Sequence, residues 1–336
     1  MPQRHDILIV GPAWVGDMVM AQALLQRLHE RFPEAAIDVV APGWSLPLLQ
    51  RMPEVREGIE LAVAHGEFGF GKRRALGRAL RDRRYARAIV LPGSWKSALV
   101  PFFARVPRRI GFRRELRYGL LNDLRPLDRG QLRSTVQQFL ALAEDAPQAP
   151  AVERPQPHLR SDAQRAQELI GRLGLDAGRP AVALMPGAEY GPAKRWPPAA
   201  FAELARTLAA QGRQVWIFGS AKERELGQAI AGDQPCVHDL CGRTQLVDVV
   251  DLLSRCEAAV TNDSGLMHVA AAVGTPLVAI YGSSSPEMTP PLTERAQIVW
   301  HHLSCSPCFQ RQCPLGHLNC LHGIGVGEVL ERLARL

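Results

Sequence analysis

Residues 258–282, AAVTNDSGLMHVAAAVGTPLVAIYG, set two apolar strands on either side of a helix with hardly a residue to spare. The strand 276–282 is apolar along most of its length and the strand 258–263 along its first half, so both of their faces need cover. The helix between them, 265–273, is nearly as apolar. Strands and helices alternating in this way build a parallel sheet with helices on both faces. The pattern recurs along the chain. DILIVG (6–11), IDVVAP (37–42) and ARAIVLP (86–92) read as strands, with helices at 18–31 and 95–106. AVALMPG (181–187) and QVWIFGS (214–220) read as further strands, with helices near 198–210, 221–231 and 244–256.

A chain of 336 residues exceeds one ordinary core. The segment EDAPQAPAVERPQPHLRSDAQ (144–164) is rich in Pro and Ala, lacks periodicity and reads as a linker. We therefore expect an α/β protein of two Rossmann-like domains, residues 1–155 and 156–336, their parallel sheets facing each other across a cleft. The last helix is expected to pack back on the first domain. Ligands of such sheets bind beyond the C-terminal strand ends, so the loops there hold the candidates.

Charge divides unevenly. Residues 1–150 carry 23 basic and 15 acidic side chains, and residues 151–336 carry 17 and 18. Within 72–117 there are 15 basic and 2 acidic residues. Such a field suits an acidic partner: nucleic acid, an anionic membrane, or a phosphorylated or carboxylated substrate. A solvated arginine-rich surface explains it equally well. No apolar run approaches the roughly 18 residues of a membrane span, and the N-terminus has no signal-peptide core. A cytoplasmic protein is expected.

The first loop, GPAWVGDMV (11–19), lacks the spacing of a dinucleotide fingerprint. Gly16 and Asp17 stand at the mouth of the first strand. Asp17 is read as a helix N-cap or as a catalytic base reaching a substrate hydroxyl. The second loop, MPGAEYGPAKRWPPAAF (185–201), puts Lys194 and Arg195 before a helix N-terminus, which is costly unless an anion is near. The third, TNDSGLMH (261–268), offers Ser264 as an N-cap, with Gly265 and Leu266 opening a helix whose N–H groups can meet phosphate oxygens. His268 lies one turn in, on a face that could meet the cleft. Asp263 either fixes the loop or binds a sugar hydroxyl. Glu223, in FGSAKERE (218–225), is a candidate acceptor for ribose hydroxyls or a plain surface residue. No Asp-x-Asp pair occurs, so no metal is expected, and Lys194, Arg195 and helix dipoles would offset a diphosphate's charge.

These loops, with ILIVGPAWVGDMVMAQAL, RYGLLNDLRPLD (117–128) and TNDSGLMHVAAAVGTPLVAIYGSSSPEMTPP, resemble the ADP-heptose:lipopolysaccharide heptosyltransferases of glycosyltransferase family 9 over nearly the whole chain. The PGAE-x-GPAKRWP form and the Cys-rich tail are most similar to the type II branch, which adds the second inner-core heptose. The resemblance implies a GT-B fold and inverting transfer from ADP-heptose to heptosyl-Kdo2-lipid A, with no obligatory cofactor. It implies acceptor binding by the first domain, with Asp17 as general base. Gly16 beside it, and Arg113 and Arg114 of the basic run, are placed on the acceptor side as well. It implies donor binding by the second, with Lys194 on the diphosphate and Asp263, Ser264, Gly265, Leu266 and His268 in the donor loop. A monomer on the cytoplasmic face of the inner membrane, held there by charge, fits the same reading.

The tail CSPCFQRQCPLGHLNC groups Cys305, Cys308, Cys313 and Cys320, with His317 nearby. Tetrahedral zinc, free thiols and disulfides are all open. Competing functions are a heptosyltransferase I or another nucleotide-sugar transferase of the family, a nucleotide-sugar epimerase of similar architecture, and a non-enzymatic nucleotide-binding module. Nucleic-acid binding is not expected, since no nucleic-acid motif or aromatic-interleaved basic stripe is present.

Overall fold

Twelve strands are described, all in parallel pairings, in a computed structural model that describes residues 5–64, 66–145 and 155–336. The chain divides into two compact units, Met1–Pro157 and His158–Leu336. The linker expected at 144–164 lies partly outside the described residues.

The first unit holds β1 (Ile7–Val10), β2 (Ile37–Ala41), β3 (Val55–Glu60), β4 (Arg87–Val90), β5 (Arg108–Phe112) and β6 (Asp123–Arg125), in the order β3-β2-β1-β4-β5-β6. The second holds β7 (Ala181–Met185), β8 (Gln214–Ile217), β9 (Val237–Asp239), β10 (Ala258–Asn262), β11 (Leu277–Tyr281) and β12 (Ala296–Trp300), in the order β12-β11-β10-β7-β8-β9. Counted from its own first strand, each sheet has the order 3-2-1-4-5-6 of a doubly wound Rossmann sheet. Strand order reverses between β1 and β4 and between β7 and β10. Loops leaving neighbouring strands at such a reversal run to opposite faces and open a crevice between them.

Central strands are buried along their whole length. The outer strands β3, β5, β6, β9 and β12 carry charged or exposed residues or span only three residues, which is why apolar patterning missed them. In the second unit Trp196 and Phe201 pack edge to face at 5.0 Å in one core with Val182, Leu184, Val260 and Ile280. The last helix, Val326–Leu333, gives its apolar stripe, Val326, Val329, Leu330 and Leu333, to this second core beside β11 and β12.

The basic run is also less free than its composition suggested. Asp38, buried in β2, accepts from Arg56, Arg83 and Tyr85. Burial pushes its carboxyl up, but hydrogen bonds from Arg56, Tyr85 and Arg83 outweigh this and hold it below the usual carboxylate range. Arg83 also pairs with Glu57, and Arg108 pairs with Asp123 and Asp145. Arg73 is buried and donates to the carbonyl of Phe68. A single continuous basic field is thereby broken into separate patches. No helix among the described residues is long and apolar enough to cross a membrane.

Candidate functional site

At the reversal of the second sheet, the loop after β7 meets the loop after β10. Asn262, buried at the end of β10, ties them: its Oδ1 accepts the Trp196 N–H at 3.0 Å and its Nδ2 donates to the Pro186 carbonyl at 2.7 Å. This strap brings Lys194 over Asp263, with Nζ 2.5 Å from Oδ2. The Ser284 hydroxyl donates to the same oxygen at 2.5 Å, and Thr289 approaches Oδ1 at 3.4 Å. Asp263 is 4% exposed. A carboxylate so deeply buried needs such partners. Within the loop, Asp263 faces Lys194, and Arg195 turns its Nε and Nη2 onto the Ala188 carbonyl.

The next helix, Gly265–Val273, begins at once. Ser264 occupies the N-cap position in extended conformation but makes no side-chain cap, contrary to expectation. Its hydroxyl and the first-turn N–H groups of Gly265 and Leu266 therefore keep bonding capacity for a ligand. His268 is buried. Burial pulls its pKa down to about 4, with Asp263 opposing and Lys194 reinforcing the shift. At neutral pH it is an uncharged imidazole with one donor and one acceptor nitrogen. Glu223 accepts from the Ser220 N–H and hydroxyl in a capping box. Its other oxygen lies where a Cβ on Gly187 would stand, 1.7 Å away. Glu223 therefore overhangs the start of the Lys194 loop.

A contact that sequence reasoning missed comes from the tail. Tyr190 donates to the Phe309 carbonyl at 2.6 Å, and the Ala193 N–H donates to the Arg311 carbonyl at 3.2 Å. The Lys194 ammonium and the Arg311 guanidinium lie 5.0 and 5.3 Å from the Tyr190 ring centre. Gly191 has φ 155°, and a Cβ there would stand 2.4 Å from the Arg311 carbonyl oxygen. Phe309 N–H and Ser306 Oγ bind the carbonyls of Ser283 and Gly282. The segment 305–311 thus braces both the Lys194 loop and the serine run after β11. No disulfide joins any of the seven cysteines. Backbone N–H groups, that of Leu318 foremost, hold the Cys313 thiol below its ordinary pKa.

In the first unit, β1 leads into the helix Val15–Arg31, whose N-cap is Trp14. Asp17 is therefore the third helical residue and not the N-cap. Asp17 is half-buried and Gly16 buried. Trp44 Nε1 fixes this loop through the Ala13 carbonyl at 3.0 Å. The neighbouring loop, after β4, is held by residues to which the sequence reading gave no role in the site. Buried Arg117 donates to the carbonyls of Pro92 and Phe112, and the Trp95 N–H donates to Glu115 at 2.8 Å. These ties lay Arg114 against Gly93, its Cδ 2.9 Å from where a Cβ would stand. Arg113 is exposed, and its N–H pairs with the Arg125 carbonyl.

The family model described as glycosyltransferase family 9 (heptosyltransferase) matches residues 73–319. Lipopolysaccharide heptosyltransferase 2 of Escherichia coli K12 is 50% identical over 303 residues, covering 87% of each chain. Lipooligosaccharide heptosyltransferase 2 of Haemophilus influenzae is 46% identical over 307 residues, covering 88% of each. The solved structure of E. coli ADP-heptose lps heptosyltransferase II superposes with a TM-score of 0.89 at 44% identity, covering 98% of each chain.

Proposed function

The chain belongs to glycosyltransferase family 9, the heptosyltransferases, and from that membership and the two loop clusters we infer a heptosyltransferase II. It moves a heptose from ADP-heptose to the first heptose of the lipopolysaccharide inner core. The relatives at 50% and 46% identity are heptosyltransferase 2 enzymes, so transfer to the Kdo acceptor, epimerisation and simple nucleotide binding are not favoured.

The observation that carries the donor assignment is the Lys194–Asp263 pair beside an uncapped helix N-terminus at the strand-order reversal. ADP-heptose brings a diphosphate, which such a terminus and an ammonium both attract. In the transfer, the acceptor hydroxyl oxygen bonds to the anomeric carbon and gives its proton to Asp17. The bond from that carbon to the diphosphate breaks, and ADP leaves with the electron pair. Attack opposite the leaving group inverts the anomeric centre. Lys194 and the N–H groups of Gly265 and Leu266 stabilise the charge gained by ADP. Arg195, Asp263 and neutral His268 shape the loop, and Ser264 and Glu223 are positioned for donor hydroxyls. Gly16, Arg113 and Arg114 serve the acidic acceptor. No metal role is assigned, because the chain has no Asp-x-Asp pair and Lys194 supplies a cation. The enzyme acts as a monomer at the cytoplasmic face of the membrane that carries its acceptor.

The decisive assay follows product mass with ADP-heptose and two purified acceptors. Heptosyl-Kdo2-lipid A should gain one heptose and Kdo2-lipid A should gain none. The opposite preference would overturn the type II reading.

A further inference from the structure

The helix Phe70–Ala79, the turn Arg81–Arg83 and the short helix Leu99–Phe103 enclose a shallow pocket in the first unit. It lies near the N-terminal ends of β4 and β5, at the edge of the sheet opposite the loops that carry Asp17 and Arg114. Its lining includes Arg74, Arg78, Arg81, Arg105 and Arg109 and no acidic residue. Arg109 spends its guanidinium on the carbonyls of Leu120 and Val106. Arg81 uses only Nε, on Phe103. Arg74, Arg78 and Arg105 are exposed. These cations crowd one another: burial pulls the Arg81 pKa down, and Arg105, Arg78 and Arg74 add to the shift. The dipole of the helix ending at Ala79 accounts for Arg78. It does not account for Arg105, which enters from another element with φ 57°, a conformation that disfavours a side chain.

The pocket wall continues into an aromatic run. Phe102 and Phe103 meet at 5.4 Å, Phe103 and Phe70 at 5.7 Å, Phe70 and Phe68 at 5.9 Å, and Phe68 and Trp95 at 5.3 Å. Four of these rings are substantially exposed: Phe68 and Phe70 at 43%, Phe102 and Trp95 at 39%. Contiguous exposed rings beside unpaired arginines are unusual on a monomer's surface. The combination matches the boundary of a bilayer, where rings sit at headgroup depth and cations meet lipid phosphates.

We propose that this face docks on an anionic phospholipid bilayer, with Arg74, Arg78 and Arg105 on headgroup phosphates and the Phe68–Phe102 run at the headgroup–acyl boundary. The inference rests on the acceptor being lipid-borne, yet its test needs no sugar transfer, so either idea can fail without the other.

The test is co-sedimentation with phosphatidylcholine vesicles, with and without phosphatidylglycerol, run beside ADP binding and thermal melting. The full-length wild type should bind only the anionic vesicles, and less at high salt. The triple variant Arg74→Gln/Arg78→Gln/Arg105→Gly should lose about fivefold in partitioning per arginine, about 100-fold together, with ADP affinity unchanged. Phe68→Ser/Phe102→Ser should weaken binding at both low and high salt. Should the triple variant misfold, Arg105→Gly alone suits the backbone there and should still cost about fivefold. Equal binding to neutral vesicles, or unchanged binding by the variants, would overturn the proposal. So would capture of a single-stranded oligonucleotide at this face with vesicle binding unaffected.

Discussion

The Lys194 ammonium lies 2.5 Å from a carboxylate oxygen of Asp263, a residue 69 positions further along the chain and on the neighbouring loop. A buried pair is strongly destabilised when one member is removed, because the other is left uncompensated. Lys194→Met should therefore cost about 3 kcal/mol in a urea melt and weaken ADP-heptose binding more than acceptor binding. Lys194→Met combined with Asp263→Asn should recover much of the stability and none of the donor affinity. A double variant no more stable than either single one would show that the pair is not energetically coupled.

Asp17 occupies the third position of its helix, where a carboxylate also favours the helix dipole. Asp17→Asn keeps the shape and removes the base. We expect kcat to fall by about 10²–10⁴ with little change in ADP-heptose affinity. A variant that melts early yet turns over normally would return Asp17 to a structural role.

His268 gives stability a pH dependence of known sign. Its folded pKa of about 4 lies below the ordinary 6.5, so between these values the unfolded chain binds more protons. Stability should be fully present above about pH 6.5 and decline as pH falls towards 4, by roughly 3 kcal/mol in all. His268→Gln should flatten that part of the curve. Denaturant midpoints of both proteins across this range decide the matter.

Ser284 donates to the buried Asp263 carboxylate at 2.5 Å, whereas Thr289 stands 3.4 Å from the other oxygen. Ser284→Ala should cost about 1.5–3 kcal/mol, as expected for a bond to a charged group, and Thr289→Val less. Donor Kd should rise in the same order. Equal, negligible effects would mean that Asp263 is held by Lys194 alone.

The central strands could be read from sequence because burial on both faces leaves an unbroken apolar run, as in Ile7–Val10 and Leu277–Tyr281. β6 and β9 could not: three residues carry no period. Lys194, Asp263 and Asp17 were recognisable as types at strand ends, but their partners were not. A strap such as Asn262 to Pro186 and Trp196 depends on which strands are neighbours, and local patterning does not contain that information. Ser264 shows the opposite limit. Its residue type favours a cap, yet its hydroxyl is not used as one.

The brace from 305–311 onto the Lys194 loop bears on how this protein can be recombined with its relatives. A chimera joined after β12 would carry every residue assigned to the donor and take the backbone that supports Tyr190, Gly191 and Ala193 from its other parent. The exchangeable unit runs on through the tail to the last helix, whose apolar stripe completes the same core. Because the brace is made through main-chain groups of 309–311, parents whose chains follow different paths there are poor partners for a crossover at that point, even when their catalytic loops are identical.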